Sequence, residues 1–286
     1  KIMSRILVPY DQSEQADHAL EHALSTSESA TVVLLHVVEP AGDHTGVAAG
    51  YEASRYPGQH ENAEEMLDGV REAHDAGERI ETAVRYGRPA HTTLSYLDEA
   101  GVDHIVIGSH GRDGAARLLL GSVAETVARR SPVPVTVVRQ APPSDAPEQV
   151  LVPFDGSTHS RRALTYALES FPQTDITALY VTYPTTDAGR DAAESDGAQG
   201  WVDERDDHAE SVLSGATDIA ADHDRSVETR SAAGTPADTI VEFAAEKDVD
   251  HVVLGSAGRD GISRLLLGSV AEKVTRRSPV SVTIAK

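Results

Sequence analysis

The chain carries the same motifs twice in the same order, and no other feature constrains its fold so tightly, since whatever one copy forms the other must be able to form as well. Val102-Asp-His-Ile-Val-Ile-Gly-Ser-His-Gly-Arg-Asp-Gly114 returns as Val249-Asp-His-Val-Val-Leu-Gly-Ser-Ala-Gly-Arg-Asp-Gly261. The run Leu118-Leu-Leu-Gly-Ser-Val-Ala-Glu125 recurs letter for letter from Leu265 to Glu272. Arg129-Arg-Ser-Pro-Val-Pro-Val-Thr136 matches Arg276-Arg-Ser-Pro-Val-Ser-Val-Thr283, and Ile6-Leu-Val-Pro-Tyr-Asp11 answers Val150-Leu-Val-Pro-Phe-Asp155. The seam lies at Gln140-Ala-Pro-Pro-Ser-Asp-Ala-Pro147, whose prolines and small polar residues suit a short extended linker. Two domains are expected, 1–140 and 148–286.

Within each copy, β-branched runs alternate with helical patterns. In the first copy the strands read as Arg5 to Pro9, Thr31 to Val38, Ile80 to Arg85, His104 to Ile107 and Val133 to Val138. Ala16, Ala19, Leu20, Ala23 and Leu24 recur at helical spacing and mark an amphipathic helix. Pro89 and Pro236 each stand where the first turn of a helix tolerates proline. Continuous Val, Ile and Leu strands separated by helices imply parallel strands covered on both faces. Each copy is therefore expected to be a doubly wound α/β domain, which binds ligands outside the carboxyl ends of its strands.

The residues that follow those strands have an unusual pattern. After the fourth strand comes Gly108-Ser-His-Gly111, then nine residues, then Gly121-Ser122 opening a helix; the second copy gives Gly255-Ser-Ala-Gly258, nine residues, and Gly268-Ser269. Glycines let backbone N–H groups approach an anion without a Cβ in the way, and a helix N-terminus adds unpaired donors and partial positive charge. Ser122-Val-Ala-Glu125 and Ser269-Val-Ala-Glu272 also read as capping boxes, a purely structural alternative. A cap, however, does not require three glycines at the same spacing in both copies. No Gly-Lys pair and no Gly-x-Gly is present, which excludes the P-loop and the dinucleotide fingerprint. Asp11 and Asp155 end the first strands, where a carboxylate can accept hydrogen bonds from ribose hydroxyls. Asp11 is equally placed to cap a helix, with Glu14 in the box position.

Composition narrows the partners. With 46 acidic against 25 basic residues the formal net charge is −21, which disfavours nucleic acid and anionic membrane surfaces in the absence of a basic cluster. The spread of carboxylates resembles that of proteins from salt-loving organisms, and a halophilic archaeon is the expected source. There are no cysteines, so thiol catalysis and disulfides are excluded. The apolar runs fall short of a membrane span and no secretory leader is read, so a cytoplasmic protein is expected. Arg112, Arg117, Arg259 and Arg264 are candidates for phosphate contacts or for solvated loop positions, and Arg129, Arg130, Arg276 and Arg277 suit the last turn of a helix. His18 and His22 are one helical turn apart, off the apolar stripe; two exposed histidines are expected there rather than a metal site. No catalytic residue is identified, because no His or Lys beside the glycine loop is duplicated.

The glycine spacing, the Val/Ile-rich strand before it, the Ser-Pro-Val strand after it and the opening Ile-Leu-Val-Pro-Tyr-Asp together resemble the ATP-binding form of the universal stress protein family, in both copies. That resemblance implies a five-stranded parallel sheet in the order 3-2-1-4-5, with two such domains pairing within the chain or in a homodimer. It implies contacts from Asp11 and Asp155 to the adenosine portion, and from the backbone at Val37 and Val181 to adenine. It places Gly108, Gly111, Gly121, Ser122 and Val123, and in the second copy Gly255, Gly258, Gly268, Ser269 and Val270, around ribose and phosphates. ATP with Mg²⁺ carried mainly by the phosphates is the implied ligand, and a nucleotide-dependent stress regulator the implied role. A slow ATP hydrolase on the same fold and a nucleotide-free interaction scaffold are the alternatives.

Overall fold

A computed structural model of the chain describes residues 4–26, 29–39, 57–74, 77–111, 120–141, 147–182, 198–257 and 267–286. The chain divides into two compact units, Lys1–Ala146 and Pro147–Lys286.

In the first unit β1 (Arg5–Pro9), α1 (Glu14–Thr26), β2 (Thr31–Val38), α2 (Pro57–Ala73), β3 (Ile80–Tyr86), α3 (Pro89–Ala100), β4 (His104–Gly108), α4 (Ser122–Arg130) and β5 (Val135–Val138) follow one another. The second unit repeats the plan with β6 (Gln149–Pro153), α5 (Thr158–Ser170), β7 (Asp175–Thr182), α6 (Ala198–Asp222), β8 (Glu228–Ala233), α7 (Pro236–Glu246), β9 (His251–Gly255), α8 (Ser269–Arg277) and β10 (Ser281–Ala285). The strands are parallel, in the order β3-β2-β1-β4-β5 in the first unit and β8-β7-β6-β9-β10 in the second. This is the doubly wound arrangement that the alternating pattern predicts.

Helices cover both faces because the inner strands are apolar on both. In the first unit Ile6 and Val8 of β1 and Val32 and Leu34 of β2 share a core with Ala16, Ala19 and Leu20 of α1 and Leu67 of α2. In the second unit one face carries Val150, Val152, Leu164 and Leu213. Its other face carries Leu151, Leu179 and Leu254 against Ile240 of α7 and Val274 of α8. Pro89 and Pro236 occupy the first turns of α3 and α7, where a missing N–H costs nothing.

The repeated Val-Asp-His stretch gains a structural role that its recurrence alone does not assign. Asp103 accepts hydrogen bonds from the Ser4 backbone N–H (3.0 Å) and Ser4 Oγ (2.5 Å), and Asp250 Oδ2 accepts from the backbone N–H groups of Glu148 and Gln149, both at 2.9 Å. Each carboxylate thus ties the start of a unit's first strand to its fourth. The next residue is buried. His104 Nε2 lies 2.9 Å from Thr136 Oγ1 on β5, and His251 Nε2 lies 2.7 Å from Thr283 Oγ1 on β10. Replacing Asp250 with alanine leaves two strand-entry N–H groups without their charged acceptor. The expected loss is about 2 kcal/mol of unfolding free energy for the second unit, read by urea denaturation, with Asp250→Asn losing less.

One expectation is corrected here. His22 is buried, at 7% exposure, and His18 is half-buried, so they are not an exposed pair. The buried arc of α1 extends past its Ala/Leu stripe to His22, because the helix lies over β4 as well as β1 and β5. Burial drives the pKa of His22 down to about 4 and that of His104 to about 3, with the nearby His22 adding to the effect on His104.

Candidate functional site

The carboxyl ends of β1, β2 and β4 and the start of α4 surround a cavity of about 440 Å³ in the first unit. Its lining includes Asp11, Val37, Gly108, Gly111, Gly121, Ser122 and Val123, so the structure brings together the seven first-copy residues that the family resemblance implies. It also includes His36, Glu39, Pro89, Thr93 and His110.

Asp11 is held by the local fold. The chain leaves β1, turns through Gln12 in the left-handed region (φ 63°), and Ser13 donates to Asp11 Oδ1 from both its backbone N–H (3.1 Å) and its Oγ (2.6 Å). The second unit builds the same turn: Gly156 has φ 77° and the Ser157 N–H donates to Asp155 Oδ1 at 3.0 Å. The helix cap is then the serine. Ser13 Oγ accepts from the Ala16 N–H and Ser157 Oγ from the Ser160 N–H, each at 3.2 Å. The capping alternative for Asp11 is thereby corrected, since the carboxylate orients the turn while Ser13 caps α1. Asp11 Oδ2 approaches Gly111 so closely that any Cβ there would collide with it.

The capping-box alternative for Ser122 and Ser269 also fails. The N-caps are Gly121 (φ −66°, ψ 151°) and Gly268 (φ −65°, ψ 151°), and neither helix start has a side-chain cap bond. The serines fall one position too late, inside the first turn. Glu125, rather than reaching back, pairs with Arg129 at 2.9 Å. Where α4 meets the cavity, its first-turn N–H groups have no intrahelical acceptors and its dipole favours an anion. The loop is closed by the Gly121 N–H donating to the Ser109 carbonyl at 2.8 Å, and likewise by Gly268 to Ser256 at 2.8 Å.

Two glycines of the motif also have a packing role. A Cβ at Gly108 would stand 2.7 Å from the Gln15 carbonyl oxygen, and one at Gly255 2.7 Å from that of His159. These two let the first turn of α1 or α5 press against the fourth strand of its unit. In the second unit Asp155, Val181, Gly255, Gly268, Ser269 and Val270 occupy the matching strand ends and helix start. Gly258 lies outside the described residues, as do Arg112, Arg117, Arg259 and Arg264.

Two wall residues escape sequence reasoning. His36 Nδ1 donates to the Tyr10 carbonyl at 2.8 Å, which fixes its ring at the end of β2. Thr93 is fully buried, and among the described residues nothing offers its Oγ1 a hydrogen bond. The signals were a histidine one residue before Val37, and a threonine where the second copy has Ile240.

A doubly wound unit with a ligand-sized cleft at its strand ends defines a class of small-molecule-binding α/β domain. The chain belongs to the universal stress protein family, which it matches over residues 3–139 and again over 147–286. It is 27% identical to a universal stress protein of Mycolicibacterium smegmatis over 299 residues, covering 98% of this chain and 96% of that one. A single-copy universal stress protein of Methanocaldococcus jannaschii is 31% identical over 154 residues, 48% of this chain and 94% of the relative. The crystal structure of a universal stress protein from Archaeoglobus fulgidus has the same fold, with a TM-score of 0.70 and 24% identity over 99% of this chain and 98% of that one. Among the described residues no helix is long and apolar enough to cross a membrane.

Proposed function

We propose that the first unit binds an adenine nucleotide, ATP with Mg²⁺, in the strand-end cavity, and that the chain acts as a nucleotide-dependent stress regulator or sensor. The observation that carries this reading is the start of α4 at Gly121-Ser122, without a side-chain cap, opening on a cavity that the Asp11 carboxylate also lines. A polyanion fits the helix start, and a sugar's hydroxyl donors fit a carboxylate. Glycine at 111 and 121 keeps side chains out of the space between them. The acidic surface adds a role for the cation, since Mg²⁺ on the phosphates lowers the repulsion of a triphosphate from a chain of charge −21. The second unit offers a second site of the same plan.

The test is a calorimetric titration of nucleotide-stripped protein with ATP and Mg²⁺ in molar salt, with mass analysis of any small molecule that co-purifies. Saturable binding at one or two ATP per chain is expected, with ADP release showing whether hydrolysis follows. A folded protein that binds none and retains none overturns the reading in favour of an interaction scaffold. Gly121→Val puts a branched side chain into the space at the start of α4, in a backbone conformation open to any residue. First-unit binding is expected to be lost with the fold retained. Gly121→Val combined with Gly268→Val is expected to abolish binding at both sites.

A further inference from the structure

We propose that Thr93 is a specificity-determining residue of the first unit's cavity, its hydroxyl held for a hydrogen bond to the polar edge of the bound base, and that the second unit lacks this contact. The inference rests on the nucleotide reading above.

Thr93 lies in the second turn of α3, 0% exposed, as part of the cavity wall that Val37, Pro89 and Val123 also form. A helical threonine ordinarily relieves its hydroxyl on the carbonyl four residues back. Here that would be Pro89, and the bond is not made. A buried hydroxyl without a partner costs stability that an apolar side chain of the same shape would not.

The duplication supplies the control. Ile240 occupies the matching position of α7, 2% exposed, within the apolar cluster of Leu151, Leu179 and Leu254. The fold is therefore satisfied by a β-branched residue with no oxygen, and the hydroxyl of Thr93 answers some other requirement. Other wall positions also differ between the copies. Tyr10, His36 and His110 in the first unit correspond to Phe154, Tyr180 and Ala257 in the second.

The position selects which part of a nucleotide is read. Helix α3 packs on β2, whose end holds Val37, and on α4, whose first turn holds Val123, whereas Asp11 and Gly111 come from the end of β1 and the loop after β4. On the nucleotide reading, which puts the base at Val37, Thr93 is assigned to the base. The hydroxyl is buried within the cavity wall, so contact with a ligand requires a turn about χ1. It both donates and accepts, so it suits a purine edge that carries either group.

Thr93→Val keeps the shape and removes the oxygen; Thr93→Ser keeps the oxygen. Titrated with ATP and Mg²⁺, Thr93→Val is expected to bind about tenfold more weakly at the first-unit site, and Thr93→Ser within about threefold of wild type. Inorganic triphosphate, which has no base, is expected to bind Thr93→Val and wild type alike. The ligand-free Thr93→Val protein is expected to unfold at a higher temperature. Equal ATP affinity, an equal loss for triphosphate, or a lower unfolding temperature would each overturn the assignment. A wild-type protein that binds ATP while Thr93→Val binds it equally well leaves the nucleotide reading standing and removes only this one. A wild-type protein that binds no ATP removes both.

Discussion

Lowering the pH from about 8 to about 5 is expected to take about 4 kcal/mol from the unfolding free energy of the first unit, roughly 2 kcal/mol for each of His22 and His104. Both side chains are buried, with folded pKa values of about 4 and about 3 against an ordinary 6.5. In this window the unfolded chain binds a proton at each position and the folded chain does not. Stability therefore rises with pH, is complete above about 6.5, and falls continuously below it until the folded groups themselves titrate. The loss sets in at higher pH than most of the 46 carboxylates titrate, so relief of acidic self-repulsion does not mask it. Urea denaturation at a series of pH values measures it. His22→Leu, and His104→Leu combined with Thr136→Val, should each flatten the profile by about half while costing stability at neutral pH. A wild-type profile already flat from pH 8 to pH 5 would show that these histidines are protonated or exposed in the folded state.

Much of the fold was legible in the sequence because parallel strands buried on both faces cannot avoid continuous apolar runs. Thr31 to Val38 and Arg5 to Pro9 match their strands end to end. The fifth strand begins two residues late, at Val135, because Ser131 Oγ bonds both the carbonyl and the N–H of Val133 and holds that residue in the turn. The last strand of the second unit follows the same rule, since Ser278 Oγ bonds the carbonyl and N–H of Val280. What pattern alone misassigned was decided by single-residue geometry. Ser122 and Ser269 have the spacing of capping boxes, but the helices begin at the serines rather than after them. Asp11 shares its turn with a serine two residues on, and only the bond from the Ala16 N–H to Ser13 Oγ shows which of the two is the cap. Thr93 is marked in the sequence only by its mismatch with Ile240 of the second copy, because the lack of a hydrogen-bond partner is a property of the packed interior and not of any local sequence.

Replacing Gly108 with alanine is expected to cost the first unit about 3 kcal/mol or more, although by sequence it is simply the first glycine of the anion cradle. Its added Cβ would meet the Gln15 side chain at 2.7 Å and the backbone carbonyl oxygen and carbon of the same residue at 2.7 and 2.8 Å. A flexible side-chain tip could yield, but the backbone of the first turn of α1 cannot, because Ser13 and Asp11 anchor it to the end of β1. The helix would have to lift away from β4, opening the core at Ala16, Ala19 and Leu20. Gly255→Ala should act alike in the second unit, where the His159 carbonyl carbon and oxygen stand 2.6 and 2.7 Å from the added atom. Gly121→Ala offers the contrast: its nearest contact is His110 Cα at 3.2 Å and its backbone is extended, so a loss below about 1 kcal/mol is expected. The three variants, compared by denaturation without ligand, separate the two functions hidden in one motif. Gly108 and Gly255 are needed for helix-to-strand contact, and Gly108 lines the cavity as well, whereas Gly121 leaves space at the start of α4. Equal stability losses at Gly108 and Gly121 would show that the motif is a single packing device and would weaken the cavity's claim to a ligand.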